Sequence, residues 1–340
     1  MPPELIAQSP AARRDGSRLM VLDADATAHR EFADLPEVLR PGDVLVLNET
    51  RVIRARLLGR RLPGGGRAEL LLLHPADSLR YDARALAWIA LARPARRLRA
   101  GERVAFGDFG EATVRREMDE GLREIELSLG VPFEEFLERA GRMPLPPYIR
   151  NDSAEAQARY QTVFAREPGS VAAPTASLHF TPELLGDVER AGIEIVRISL
   201  DVGLGTFRPV TVETVAEHAM HAEAYSIDPR AAEALERARR ERRRVVAAGT
   251  TVVRALEGNV RDNGRVEPGR HVTDLFITPG FGFNIVDAMI TNFHLPRSTL
   301  LMLVSAFGGF ERIRSAYAEA IERRYRFYSF GDAMFVVRSA

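Results

Sequence analysis

The chain contains no cysteine. Disulfides, thiolate metal sites, cysteine nucleophiles and iron–sulfur clusters are therefore excluded together. It also contains no lysine, so all 47 basic residues are arginine, a usage that fits a GC-rich coding sequence. Arginine offers a planar fork for phosphate and a flat face for stacking. These 47 positive charges are matched by 47 acidic residues, giving a formal net charge of zero. A whole-protein basic field for nucleic acid is thus absent, and any RNA site must be a local arginine patch. No apolar run reaches the roughly 18 residues of a membrane-spanning helix. The opening Met1-Pro-Pro-Glu-Leu-Ile-Ala-Gln8 lacks a basic region followed by an apolar stretch, so it does not read as a secretory signal. The expected location is the cytoplasm, with no membrane partner.

What is present is the composition of a globular protein: 46% apolar and 28% charged residues. At 340 residues the chain is long for one core, and two domains are expected. Residues 1–51 read as a lead-in to a buried strand at Asp43–Asn48. Between about 52 and 130, short apolar stretches recur at Val52–Leu58, Ala68–Leu73, Ala85–Ala92, Arg103–Phe106, Ala112–Arg115 and Leu122–Leu129. Turn residues such as Pro63-Gly64-Gly65-Gly66 separate them, which predicts an antiparallel sheet or small barrel. A helix is expected at Val131–Arg139, then an extended Pro-rich return linker at Met143–Ile149.

From there helices and strands alternate, the pattern of an α/β domain. Helices are expected at Pro182–Ala191, Pro229–Arg243, from Thr250, at Ser298–Phe307 and at Glu311–Tyr325. Strands are expected at Ile193–Leu200, Arg244–Ala248 and Leu275–Thr278. The fold class is α/β (mixed α+β), with an α/β domain of residues 1–51 and 149–340 interrupted by an antiparallel β-barrel of residues 52–148.

Several short motifs carry chemistry, each with a plain structural alternative. In Val245–Arg254 a strand meets a helix through Gly249-Thr250-Thr251. Free backbone N–H groups and two hydroxyls there favour an anion, with Arg254 one turn later, although a Thr-capped turn looks the same. Asp201-Val-Gly203-Leu-Gly205-Thr206-Phe207 places two glycines after a strand, as either a tight turn or a ligand loop. His218 and His221, with Glu223, share a face if helical. No third ligand has metal spacing, so an acid/base cluster is preferred to zinc, beside incidental surface histidines. Ala172–Phe180 is small-residue rich and ends on His179, a candidate catalyst or a hydrogen-bonded core residue. Phe281 and Phe283 can stack on a base or pack in the core, and Asn292 and His294 follow in Thr291–Pro296. Arg54, Arg56, Arg60, Arg61, Arg93, Arg96, Arg97 and Arg99 are phosphate-contact candidates or solvated strand ends.

In their order along the chain these segments resemble the tRNA S-adenosylmethionine ribosyltransferase-isomerase family of queuosine synthesis. The resemblance runs from Leu5-Ile-Ala-Gln8 to Gly331-Asp-Ala-Met334 and includes Thr50–Ile53, Met143–Ile149, Val171–Phe180, Gly203–Phe207, His218–Glu223, Gly249–Arg254 and Thr291–Pro296. It implies transfer of the ribosyl part of S-adenosylmethionine to 7-aminomethyl-7-deazaguanine at the tRNA wobble position. Adenine and methionine leave, and epoxyqueuosine forms. S-adenosylmethionine is then a substrate, with no metal and no resident cofactor. A monomer without an obligate protein partner is expected. A methyltransferase and a non-catalytic anticodon-loop-binding relative are the alternatives.

The chemistry asks for a base near the sulfonium-activated C5′ hydrogens. His179, His221, His294 and Glu223 are the expected catalytic candidates. Gly203, Gly205, Thr206, Phe207, Thr250, Thr251, Arg254, Phe281 and Asn292 are expected to bind S-adenosylmethionine, and Arg51, Arg54 and Arg56 the tRNA. The chain departs from the family pattern at Asp201, where His is usual. Aspartate does not replace imidazole as a proton donor at neutral pH, so either that histidine is not essential or the activity is altered. Ser177, Arg54 and Val252 also stand where Gly, Pro and Ser are usual, and the family pattern leads the start to be read as short by a brief segment.

Overall fold

The computed structural model describes residues 1–23, 26–201, 203, 220 and 222–339. Strands β1 (Arg18–Asp23) and β2 (Ala26–Glu31) pair antiparallel. A short helix, α1 (Leu35–Val38), leads to β3 (Val44–Asn48), buried at every position. Such an unbroken apolar run belongs in the middle of a sheet covered on both faces. β4 (Thr50–Val52) then carries the chain out of the sheet.

The barrel strands are β5 (Arg56–Leu62), β6 (Arg67–Pro75), β7 (Ala87–Arg93), β8 (Arg103–Ala105), β9 (Gly110–Glu117) and β10 (Leu122–Leu129). They run in the order β5-β6-β7-β10-β9-β8, and β8 returns to β5, with Arg60 opposite Ala105. Closure removes the free edges of an open sheet. Gly59 makes it possible: a Cβ there would lie 2.6 Å from the Ala105 carbonyl oxygen and from Val104. Inward residues such as Leu57, Leu70, Trp88, Val104, Val114 and Ile125 fill the interior. Helix α2 (Phe133–Ala140) caps it, with Phe133 stacked on Trp88 at 5.1 Å. β11 (Gly141–Arg142) joins the edge of β5.

After α3 (Ala154–Arg159), strand β12 (Glu167–Ser170) returns beside β4 in parallel. Then follow α4 (Pro182–Arg190), β13 (Glu194–Asp201), β14 (Glu223–Ile227), α5 (Pro229–Glu241), β15 (Val245–Ala248) and α6 (Thr250–Asn263). The chain ends with β16 (Gly269–Thr273), β17 (Ala288–Asn292), α7 (Thr299–Gly308), α8 (Phe310–Glu322) and β18 (Ala333–Val337). Helix starts follow local chemistry: Thr181, Asp228 and Ser298 each accept a backbone N–H at an N-cap.

The large sheet has the order β16-β14-β13-β3-β15-β17-β18-β1-β2. Its centre, β13-β3-β15-β17, is parallel. Helices α5 to α8 pack on one face, and α1 and α4 on the other. A small cluster of Ala7, Val52, Met143, Ile149, Tyr160, Ala173 and Phe330 fills the junction between sheet and barrel.

The expected fold class is the observed one, but details differ. The stretch Val52–Leu58 is divided: Val52 belongs to β4, and the barrel strand begins at Arg56. Leu275–Thr278 is not a strand. Its first carbonyl is taken by the Arg254 side chain at 2.9 Å, and the neighbouring strand is β16. Residues 1–51 hold β1 and β2 besides β3. Thr291 and Asn292, read as part of a loop, end the central strand β17.

Candidate functional site

The four central strands run the same way, so their carboxyl ends open on one side, where α/β sheets bind ligands. A cleft of about 50 Å³ lies beyond the ends of β15 and β17. Segments far apart in sequence line it: Tyr148, Ala173–Ala176, Gly249–Thr251, Thr291–Leu295, Ser298, Tyr328 and Ser329.

Gly249, at φ 110°, makes the turn from β15 into α6, and its N–H donates to the Ile290 carbonyl of β17 at 2.8 Å. The first N–H groups of α6 and the hydroxyls of Thr250 and Thr251 therefore sit at the cleft, a setting for a carboxylate or phosphate. Tyr148 and Tyr328 pack at 4.9 Å, and the Tyr148 hydroxyl bonds Ser329 Oγ at 2.6 Å. Burial raises the Tyr148 phenol well above its ordinary pKa, so it remains a neutral partner.

His294 lines the cleft with Nε2 2.7 Å from Thr291 Oγ1. The Thr291 hydroxyl also lies 3.3 Å from the Asn292 carbonyl oxygen. Burial pushes the His294 pKa down to about 3, which keeps the ring neutral.

His179 lies deeper. Its Nδ1 is 2.7 Å from Ser17 Oγ, its Nε2 accepts from Asn292 Nδ2 at 3.3 Å, and Phe32 packs on the ring at 4.8 Å. Burial lowers its pKa to about 4, against the pull of Asp332. Its place is behind Asn292, not in the cleft wall. Glu223 and Arg254 form a buried ion pair at 2.5 Å and do not line the cleft. Arg254 thus serves a protein carboxylate where an external anion was expected. Phe281 is likewise elsewhere, in an edge-to-face series with Phe283 and Phe307 before β17 begins. His218, His221, Gly205, Thr206 and Phe207 lie outside the described residues, and Gly203 does not line the cleft.

A second cavity, of about 640 Å³, opens between barrel and sheet and is lined by Arg51, Arg54, Arg142, Tyr81, Glu134 and Glu138, among others. Arg51 is exposed, and Arg54 donates to the Glu138 carbonyl at 3.2 Å. Arg56 is committed to Glu69 at 2.9 Å and Asp152 at 3.3 Å, which removes it from the cations available to phosphate. Asp201 lines a third cavity with Arg80, Arg197 and Arg270. Burial raises its pKa to about 6, opposed by Arg80, which brings this carboxyl close to the ordinary titration range of an imidazole. The expected incompatibility with the histidine of the family pattern is therefore smaller than residue type alone suggests.

Sequence reasoning missed Tyr148, Ser298, Tyr328, Ser329 and Ser17 as parts of one site. Tyr148 was hidden in a Pro-rich stretch that reads as linker. Tyr328, with φ 72°, had no signal in its residue type. Among the described residues, no group of three His, Asp or Glu is placed to hold a metal ion, and no helix is long and apolar enough to cross a membrane.

The fold and the cleft define a class: an α/β protein with an inserted barrel and a cleft at the carboxyl ends of its parallel strands. The chain belongs to the family described as queuosine biosynthesis protein, whose model matches residues 1–336. It is 53% identical over 340 residues to the S-adenosylmethionine:tRNA ribosyltransferase-isomerase of Symbiobacterium thermophilum, covering 99% of this chain and 97% of that one. It is also 53% identical over 342 residues to the protein of that name from Moorella thermoacetica, with the same coverage. The crystal structure of an S-adenosylmethionine tRNA ribosyltransferase from Thermotoga maritima matches with a TM-score of 0.54 and 35% identity, over 99% of this chain and 98% of that one.

Proposed function

We propose that this protein transfers and isomerises the ribosyl moiety of S-adenosylmethionine onto 7-aminomethyl-7-deazaguanine at the tRNA wobble position, yielding epoxyqueuosine and releasing adenine and methionine. The observation that carries this reading is the convergence of Ala173–Ala176, Gly249–Thr251 and Thr291–Leu295, three segments of the family resemblance, in one cleft. The helix start at Thr250 and Thr251 suits the methionine carboxylate, and Tyr148 and Tyr328 suit a flat base. Among the described catalytic candidates, His294 is the one in the cleft wall, and it is the candidate base for the C5′ proton. The cavity lined by Arg51 and Arg54 is assigned to anticodon phosphates.

The test is turnover of S-adenosylmethionine with tRNA bearing the aminomethyl-deazaguanine. Free adenine and a ribosyl-sized mass gain on the RNA are expected, and neither without the RNA. S-adenosylhomocysteine with a methyl-sized gain would instead make the protein a methyltransferase. RNA binding without any product would make it a non-catalytic relative.

A further inference from the structure

One cleft residue ends in a polar atom that the protein leaves unmet. Asn292 is 2% exposed, and among the described residues its Oδ1 has no hydrogen-bond partner. An unmet buried acceptor is costly, and such groups are retained where something outside the protein meets them. Asn292 Nδ2 lies 3.3 Å from His179 Nε2, and His179 Nδ1 lies 2.7 Å from Ser17 Oγ, with Phe32 against the ring. A neutral imidazole has one donor and one acceptor nitrogen, and with Nε2 as the acceptor it takes the Asn292 N–H and leaves the carboxamide oxygen for a ligand. Position adds to this: Asn292 is the last residue of β17, beside the start of α6.

We infer that Asn292 is a specificity-determining residue of the donor site, its carboxamide oxygen accepting a hydrogen bond from an amino group of the sulfonium substrate, and that His179 is the positioning residue that holds it as an acceptor. This rests on the ribosyl-transfer reading above. Two amino groups of S-adenosylmethionine have the required chemistry, the exocyclic amine of adenine and the α-ammonium of methionine. Replacing the adenine amine by a carbonyl sets acceptor against acceptor, and removing the α-ammonium leaves the oxygen unmet.

The experiment measures binding to the full chain by calorimetry, with an anticodon stem-loop carrying plain guanine at the wobble position, which lacks the accepting amine. The ligands are S-adenosylmethionine, its hypoxanthine analogue and its desamino analogue. The unaltered protein is expected to bind one analogue roughly tenfold or more weakly than S-adenosylmethionine because of this contact. In Asn292→Ala that preference collapses towards unity while preference against the other analogue remains. His179→Phe, which keeps a ring against Phe32, reduces the same preference, and this variant decides the matter if Asn292→Ala does not fold. A merely structural role would lower all three affinities together, and that result overturns the inference. Preferences unchanged in both variants also overturn it. No binding of S-adenosylmethionine by the unaltered protein would sink the functional reading itself and this inference with it.

Discussion

Two titratable side chains pull the stability of this protein in opposite directions as pH changes. His179 has its pKa lowered by burial to about 4. Its neutral form is favoured by the fold, so its contribution is complete above about pH 6.5 and is lost as pH falls towards 4. The amount is on the order of 3 kcal/mol. Asp201 is the reverse: burial raises it to about 6, so the folded chain holds that proton longer. Stability from Asp201 is present below about pH 4 and is lost as pH rises through 6. Thermal midpoints between pH 7.5 and 4.5 should therefore fall less in His179→Phe than in the unaltered protein, and fall more in Asp201→Asn. Parallel profiles for all three proteins would contradict the assignment. Neither shift was legible in the sequence, because each depends on what surrounds the side chain. Residue type alone placed Asp201 among ordinary carboxylates and left His179 open between catalyst and core residue.

At the scale of elements, the sheet and α6 are joined by one buried carboxylate. Glu257, fully buried in α6, accepts backbone N–H groups from Asn284 at 2.8 Å, Ile285 at 3.1 Å and Val286 at 2.9 Å. These residues lead into β17, whose far end carries Asn292. Glu257→Ala should cost about 3 kcal/mol or more in urea unfolding, since it strands several buried donors at once. A loss below about 1 kcal/mol would mean that water replaces the carboxylate. The barrel strands and most helices were legible because turn residues and period marked them, as with Gly64–Gly66 or Asp228-Pro229. β17 was not: it is five residues long, and Thr291 and Asn292 at its end look like loop chemistry. They are buried because the strand delivers them to the cleft. β1, with Arg18 and Asp23 at its ends, was hidden for a related reason, since only its middle is fully apolar and buried.

For the whole molecule, the arginine count says little and its distribution says more. Of the three expected RNA contacts, Arg51 and Arg54 face the cavity between barrel and sheet, while Arg56 is neutralised by Glu69 and Asp152. If anticodon phosphates lie there, Arg51→Ala and Arg54→Ala should each lower the slope of log affinity against log salt by about 0.7 to 1. Arg56→Ala should change it little. Equal slopes for all three variants would place the RNA elsewhere. The pairing of a barrel with a large mixed sheet was legible from the change of pattern near residue 52. The single cleft was not, because it is assembled from segments that only the sheet order brings together.

That sheet order also sets a timetable. β1 has its partner β18 at Leu19 and Ala333, and β3 lies between β13 and β15. β1 meets β2 at once but its other neighbour only at Ala333–Val337, and β3 waits for β13 and β15, whereas every strand of the barrel finds its neighbours within residues 56–142. The barrel can be finished while the sheet around it is still without its centre, and a chain stopped shortly before residue 333 would carry a completed barrel on an unclosed sheet.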